Sequence, residues 1–72
     1  MRIDGTRLKK LREGADLRLA DIAVAADLSE RRIGQIEAGK LSNVNLNIAK
    51  AIAKRLGAKL EDLAQADPEG EA

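Results

Sequence analysis

The feature that most constrains this chain is the stretch at residues 17–40, where two short helical patterns follow each other with very little between them. Apolar residues recur at helical spacing at Ile22 and Ala26. The pattern stops at Asp27, a residue that tolerates a left-handed backbone better than most. Ser29 then has the chemistry of a helix N-cap. We therefore predict two helices joined by a tight turn.

The second helix of this pair is predicted over residues 30–38. Ile33 and Ile36 point inward together, and Gly39 ends the helix. The outward face then consists of Glu30, Arg31, Gly34, Gln35 and Ala38. An interior glycine costs a helix about 1 kcal/mol relative to alanine. Either another group comes close to the backbone at Gly34, or the glycine is merely tolerated there.

The flanking segments predict three further helices and no strand, because no sustained alternation of apolar and polar residues occurs. The five predicted helices span residues 6–14, 18–26, 30–38, 46–56 and 59–65. The inward side of the fourth helix is predicted to hold Leu46, Ala49, Ile52, Ala53 and Leu56. Ile3 is predicted to tuck under the first helix, which Asp4 or Thr6 caps and which Gly14 ends in a left-handed conformation.

These elements predict one domain, an all-α, compact five-helix bundle over residues 1–66. Residues 67–72 are expected to form a disordered acidic tail. Within the bundle, Ala23 must be small because the third helix crosses the second there. Around it Ile22, Leu28, Ile33 and Ile36 are predicted to fix the crossing angle.

Composition excludes most enzymatic chemistry. The chain has no cysteine and no histidine, which removes disulfides, thiolate nucleophiles, imidazole bases and the usual zinc sites. No calcium-loop motif is present, so we predict neither enzyme nor metal nor cofactor. Aromatic residues are also absent, and single-stranded nucleic acids are mostly bound by aromatic stacking. A nucleic-acid partner would therefore be duplex DNA.

Charge is distributed unevenly along the chain. Residues 1–59 carry 13 basic and 7 acidic side chains, whereas residues 60–72 carry 5 acidic and no basic ones. Such asymmetry points to a polyanionic partner, although short helices also need charged faces for solubility. No apolar run reaches the roughly 20 residues needed to cross a bilayer, and a cytoplasmic location is expected.

Seven short motifs follow one another in a fixed order, namely Ile22-Ala23, Leu28-Ser29, Ile33, Ile36-Glu37, Gly39-Lys40, Ile52-Ala53 and Leu56-Gly57. This set resembles the Cro/repressor-type helix-turn-helix family, often called XRE-like, over about residues 5–64. The resemblance implies the lambda-repressor-like arrangement of five helices. It also implies a sequence-specific regulator of transcription, acting as a repressor, whose third helix enters the major groove of double-stranded DNA.

The resemblance further implies roles for single residues. Base edges would be contacted by Glu30, Arg31, Gly34 and Gln35. The DNA backbone would be contacted by Arg18, Leu19, Ser29, Arg32, Lys40, Ser42 and Asn43. Arg31 can donate to guanine O6 and N7, Gln35 can serve adenine, and Glu30 can accept from cytosine N4. The alternative is that Arg31 and Arg32 form a solvated face and that Glu30 only complements the helix dipole.

Two residues are implied to have a structural role. Arg12 and Glu37 match a pair that ties the first helix to the recognition helix in the family. We assign Glu37 to this pair because an unpaired carboxylate near phosphates would be repelled. Three positions depart from the family pattern. Arg18 stands where a capping Ser or Thr is usual, Leu19 where a phosphate donor is usual, and Asp27 where glycine is usual.

Useful specificity favours a homodimer that binds two half-sites, because one domain contacts few base pairs. The partner would dock on the last helices around Ala51, Arg55, Ala58 and Leu63, with the alternative that Leu63 belongs to the core. No membrane or small-molecule partner is predicted. The alternative function is a protein-interaction module or antitoxin-like adaptor with weak or no DNA binding. Leu19 and Asp27 favour this alternative, whereas the basic balance and Arg31 with Arg32 oppose it.

Overall fold

The computed structural model of the chain describes residues 1–41 and 43–65, and these residues contain five α-helices. In chain order they are α1 (Gly5–Gly14), α2 (Leu19–Ala26), α3 (Glu30–Glu37), α4 (Leu46–Leu56) and α5 (Leu60–Leu63). α2 packs against α3 and α4, and α1 packs against α3 and α5. The predicted all-α fold is confirmed. The predictions made for Ser42 and for residues 66–72 lie outside the described residues.

The first helix begins one residue earlier than predicted. The Asp4 carboxylate accepts hydrogen bonds from the backbone N–H groups of Thr6 and Arg7, at 3.0 and 3.2 Å. Asp4 is thus the N-cap, and Thr6 lies within the helix. Because the cap sits at residue 4, the first helical residue is Gly5.

This helix ends at Gly14, as predicted. The left-handed conformation predicted for Gly14 is wrong. Asp16 takes the left-handed backbone, with φ of 60°. The N–H of Leu17 then donates to the carbonyl of Arg12 at 3.0 Å. One left-handed residue is enough to reverse the chain here, and aspartate accepts that conformation more readily than most side chains.

The other helix ends differ from prediction by small amounts. α2 begins at Leu19 with Arg18 as its N-cap residue, and α3 ends at Glu37. The last helix is shorter than the predicted span of 59–65. It is a single turn because Ala64 leaves the helix in extended conformation and pairs with Ile3.

The core is built from small and branched apolar side chains supplied by every helix and by the segments between them. Its buried members are Ile3, Leu8, Ile22, Ala23, Ala26, Ile33, Ile36, Val44, Ala49, Ile52, Ala53 and Leu63. The inward placement predicted for Leu46 is wrong, because this side chain is 49% exposed. Val44, just before the helix, occupies the core instead. Leu56 packs partly buried against the core.

The N-terminal segment joins two parts of the chain that are distant in sequence. The N–H of Asp4 donates to the carbonyl of Leu63 at 2.8 Å, and the N–H of Val44 donates to the carbonyl of Met1 at 2.8 Å. Between these bonds the side chain of Ile3 is 1% exposed. The segment therefore connects the loop after α3 to the end of α5. The prediction that Ile3 packs under the bundle is confirmed.

None of the helices formed by residues 1–41 and 43–65 has the length and apolar character that crossing a bilayer requires.

Candidate nucleic-acid interface

The turn between α2 and α3 is closed by backbone hydrogen bonds. Asp27 takes a left-handed conformation, with φ of 56° and ψ of 43°. The N–H of Leu28 donates to the carbonyl of Ala23 at 2.9 Å, which satisfies a carbonyl at the end of α2. The left-handed turn predicted at Asp27 is confirmed. The chain changes direction within three residues, so the two helices must lie close together.

The start of α3 is fixed by a side-chain cap. The Ser29 hydroxyl accepts from the backbone N–H of Arg32 at 3.1 Å. This bond satisfies one of the free N–H groups at the start of the helix. Ser29 is an exposed residue, and its hydroxyl retains a proton to donate. Ser29 thus has an observed capping role, whatever it contacts outside the chain.

Small and branched side chains set how α3 crosses α2. Ile22 and Ala23 of α2 are buried, as are Ile33 and Ile36 of α3. Ala23 allows the two helices to approach closely, since its side chain ends at Cβ. Leu28 in the turn is partly buried and packs against the same cluster. The inward face of α3 is therefore anchored along its whole length, and the opposite face is left to solvent.

The far end of α3 is held by Arg12 of α1. Its Nε donates to Glu37 Oε2 at 2.6 Å and its Nη2 donates to Glu37 Oε1 at 3.1 Å. Its Nη1 donates to the carbonyl of Leu17 at 3.0 Å, just before α2. The Arg12 and Glu37 side chains are only 12% and 8% exposed. One guanidinium thus fixes the start of α2 and the end of α3 relative to α1.

The hydrogen bond with Glu37 raises the pKa of Arg12 above its ordinary value, although burial opposes the shift. The negative charges of Glu37 and Glu13 act in the same direction as the hydrogen bond. Arg12 therefore remains charged throughout the physiological range. The bidentate geometry is the strongest form of such a pair.

Gly5 is a second contact between α1 and the end of α3, and sequence reasoning missed it. A Cβ at this position would lie 2.6 Å from the carbonyl oxygen of Glu37 and closer still to that of Ile36. Both obstacles are backbone atoms, which cannot swing away. The start of α1 therefore rests directly on the last turn of α3, and only glycine permits this. In the sequence, the feature that could have indicated this contact was a glycine directly after the capping residue Asp4.

The outward face of α3 carries the residues predicted to contact bases. Glu30, Arg31 and Ala38 are exposed, while Gly34 and Gln35 are half-buried. Within residues 1–41 and 43–65, the two ion pairs are Arg7 with Asp4 and Arg12 with Glu37. Neither of these pairs uses Glu30, Arg31 or Arg32. The charged groups on this face are thus available to a partner.

The residues predicted to contact the DNA backbone lie at both ends of α3. Ser29 and the exposed Arg32 are at its start. Lys40 follows its end, where the Lys40 N–H donates to the carbonyl of Gln35 at 2.9 Å. Arg18 lies near this same end of α3. The reason is that Arg12 donates hydrogen bonds both to Glu37, at the end of α3, and to Leu17, the residue before Arg18. The structure thus brackets α3 with exposed basic side chains.

Two predicted backbone contacts have restricted chemistry. Leu19 packs partly buried against the core, so it offers only its main-chain N–H at the start of α2. The side-chain oxygen of Asn43 accepts from the Met1 amino group at 3.2 Å, which leaves its NH₂ group as the donor. Ser42 is not among the described residues.

Residues 1–41 and 43–65 contain no group of three or more acidic side chains placed to hold a metal ion. What the described site offers is a helix of fixed orientation whose solvent face carries hydrogen-bond donors and acceptors. Exposed cations stand at both ends of that helix. Such an arrangement recognises a polar, anionic surface by shape and hydrogen bonding.

Comparisons with known proteins agree with this geometry. A protein family described as "Helix-turn-helix domain" matches residues 5–66. The chain is also similar to the solved structure of the restriction-modification controller protein C.AhdI from Aeromonas hydrophila, with 28% sequence identity and a TM-score of 0.73. The match covers 81% of this chain and 86% of that one. No match was found among curated proteins. The chain belongs to the helix-turn-helix domain family.

Proposed function

We propose that the chain is a sequence-specific regulator of transcription, acting as a repressor, that inserts α3 into the major groove of double-stranded DNA. The observation that carries this proposal is the fixed orientation of α3. Its inward face is held by Ile33 and Ile36, and its end is held by Arg12, while Arg31 points to solvent without an ion-pair partner among the described residues. The similarity to a restriction-modification controller protein supports a role in gene control.

The proposed contacts divide into two classes. Glu30, Arg31 and Gln35 contact base edges, and Gly34 lies among them. Arg18, Leu19, Ser29, Arg32, Lys40, Ser42 and Asn43 contact the DNA backbone. For Leu19 the contact is through its main-chain N–H, because helix N-termini attract phosphate. The first class would determine sequence preference, and the second class would position the domain on the duplex.

We further propose that the active form is a homodimer. One helix contacts too few base pairs for useful specificity, and two copies related by two-fold symmetry read half-sites about one helical turn apart. The proposed contact between copies is the surface around Ala51, Arg55 and Ala58. The placement of Leu63 on this surface is wrong, because its side chain is fully buried in the core. An operator selected from random duplexes should then be a palindrome.

The function is tested by selection from random duplex DNA, followed by binding measurements at two salt concentrations. The regulator should select a motif and bind it more weakly at the higher salt, because phosphate contacts release counterions. Absence of binding at the lower salt would reject the regulator. It would favour the alternative, a protein-interaction module of the same fold.

Substitutions separate the two classes of contact. Arg31→Ala should relax base preference and weaken binding to the selected site by about 1–3 kcal/mol. Lys40→Ala should weaken binding to all sequences alike and reduce the salt slope by about 1. The control is Lys10→Ala, which removes the same charge from a surface groove that Lys10 lines together with Asp62 of α5. If Arg31→Ala and Lys40→Ala weaken all sequences equally, the proposed base-contacting face is wrong.

A further inference from the structure

Three glycines lie within α1 and α3, the helices that meet at the proposed DNA-binding element. Gly5 and Gly14 are the first and last residues of α1, and Gly34 alone lies in the middle of a helix. At Gly5 an added Cβ would collide with backbone oxygens of α3, so packing within the fold requires the glycine. At Gly34 an added Cβ would have no neighbouring atom within 4 Å. The close approach that explains Gly5 therefore has no counterpart inside the fold at Gly34.

Backbone conformation does not account for Gly34 either. The positive-φ glycines of the described chain are Gly39 and Gly57. Gly34 lies in the middle of α3, in ordinary helical conformation. Glycine is a poor helix former at such a position because it has more conformational freedom to lose than alanine. The fold itself would be served better by almost any other small residue.

Gly34 occupies a particular place on the outward face. It lies one turn after Arg31 and one turn before Ala38, and it is followed by the half-buried Gln35. The side chains of Arg31 and Gln35 are long enough to extend well beyond the helix backbone. At Gly34, between these two residues, no side chain covers the main chain of α3. A partner that meets both side chains can reach the backbone at this point.

We infer that Gly34 is the point where α3 comes closest to the base pairs, and that its missing side chain sets how deeply the helix enters the groove. This inference rests on the proposed function. The occupant of the space above Gly34 is the edge of a base pair in double-stranded DNA. A methyl group there would hold the helix away and lengthen the contacts made by Arg31 and Gln35.

The test is Gly34→Ala, compared with Gly14→Ala as a matched control. Gly14 is also helical, and an added Cβ there would also have no neighbour within 4 Å, but it lies at the end of α1. Thermal unfolding followed by circular dichroism should show that Gly34→Ala raises the melting temperature by roughly 2–8 °C. Binding of the selected duplex should nevertheless weaken by at least roughly fivefold. Gly14→Ala should leave binding unchanged.

The outcomes distinguish this inference from the proposed function. If the unaltered protein binds no duplex at low salt, the proposed function fails and the inference fails with it. If the unaltered protein selects a motif and Gly34→Ala binds that motif equally well, only the inference is overturned. It is also overturned if Gly34→Ala lowers the melting temperature, since the fold would then require the glycine. A gain in stability together with a loss of affinity, absent in Gly14→Ala, supports it.

Discussion

At the scale of single residues, Gly5 and Arg12 of α1 determine where α3 ends relative to the bundle. Gly5 lets two main chains touch, and Arg12 pairs with the carboxylate of Glu37. Neither residue belongs to the surface that is proposed to enter the major groove of DNA. Both act by holding the helix that does, so their substitution should be measured first as a change in stability.

Gly5→Ala should lower the free energy of unfolding by about 2 kcal/mol or more, because the new methyl group meets backbone oxygens of Ile36 and Glu37. Urea unfolding followed by circular dichroism measures this change. Gly14→Ala, where the added methyl has open space, is the control and should not lower stability. Equal effects of the two substitutions would contradict the close contact at Gly5.

Glu37→Ala should lower the free energy of unfolding by about 3 kcal/mol, because it leaves the guanidinium of Arg12 largely buried without its carboxylate. The control is Arg7→Ala, which breaks an exposed pair with Asp4 at 3.7 Å and an exposed hydrogen bond to the carbonyl of Ala64 at 3.2 Å. It should cost only about 1 kcal/mol, because both interactions are exposed to solvent. Similar melting temperatures for Glu37→Ala and the unaltered protein would reject the role of the pair.

The raised pKa of Arg12 also determines how the charge of Arg12 makes the stability of the fold depend on pH. A group whose pKa is higher in the folded state stabilises the fold below its unfolded pKa, and this stabilisation is lost as the pH rises through the folded pKa. For Arg12, the pH range in which this stabilisation is lost lies above that of ordinary alkaline buffers. The stability difference between Glu37→Ala and the unaltered protein should therefore persist from neutral to mildly alkaline pH.

At the scale of elements, the turn at Asp27 decides how α2 presents α3. Its left-handed backbone is the conformation that glycine adopts without penalty, whereas other residues pay about 1–2 kcal/mol. Aspartate adopts this conformation at a lower cost than most residues that carry a side chain. Aspartate in place of the usual glycine therefore lowers the stability of the turn, while the backbone keeps the same left-handed conformation.

Asp27→Ala should lower the free energy of unfolding by about 1 kcal/mol, whereas Asp27→Gly should leave it equal or slightly higher. The two variants remove the same side-chain charge, so a difference between them reports the backbone alone. Urea midpoints of the two variants give the comparison. An Asp27→Ala variant at least as stable as Asp27→Gly would show that the left-handed conformation does not limit stability.

At the scale of the whole molecule, the N-terminal segment closes the bundle. It pairs with the loop after α3 on one side and with the end of α5 on the other. Ile3 fills the core between them, so the first residues of the chain stabilise helices near its end. A domain of this size has only about 4–10 kcal/mol of stability in total, and one core side chain is a large part of it.

Ile3→Ala should lower the free energy of unfolding by about 2–4 kcal/mol, because it removes a side chain that is 1% exposed and leaves a cavity. Val24→Ala is the control, since this side chain is 81% exposed and should change stability by less than about 0.5 kcal/mol. Denaturation curves for the two variants provide the measurement. An Ile3→Ala variant as stable as Val24→Ala would contradict the closing role of the N-terminal segment.

The order of residues was enough to predict the helices, their approximate ends and the turn. These depend on chemistry within a few residues, such as the Ser29 hydroxyl that accepts from the N–H of Arg32, and the left-handed backbone at Asp27. The periodic placement of Ile22, Ile33 and Ile36 likewise predicted the core between the two helices. Local hydrogen bonding and helical periodicity leave a signal in the order of residues, so these features were predictable.

Which residues from distant parts of the chain meet became evident only from the folded structure. The contact of Gly5 with the end of α3 leaves no periodic signal, and neither does the exposure of Leu46 beside a buried Val44. The same holds for the open space above Gly34, on which the proposed close approach to DNA rests. These outcomes depend on distances between elements, and packing sets those distances only when the whole chain is folded.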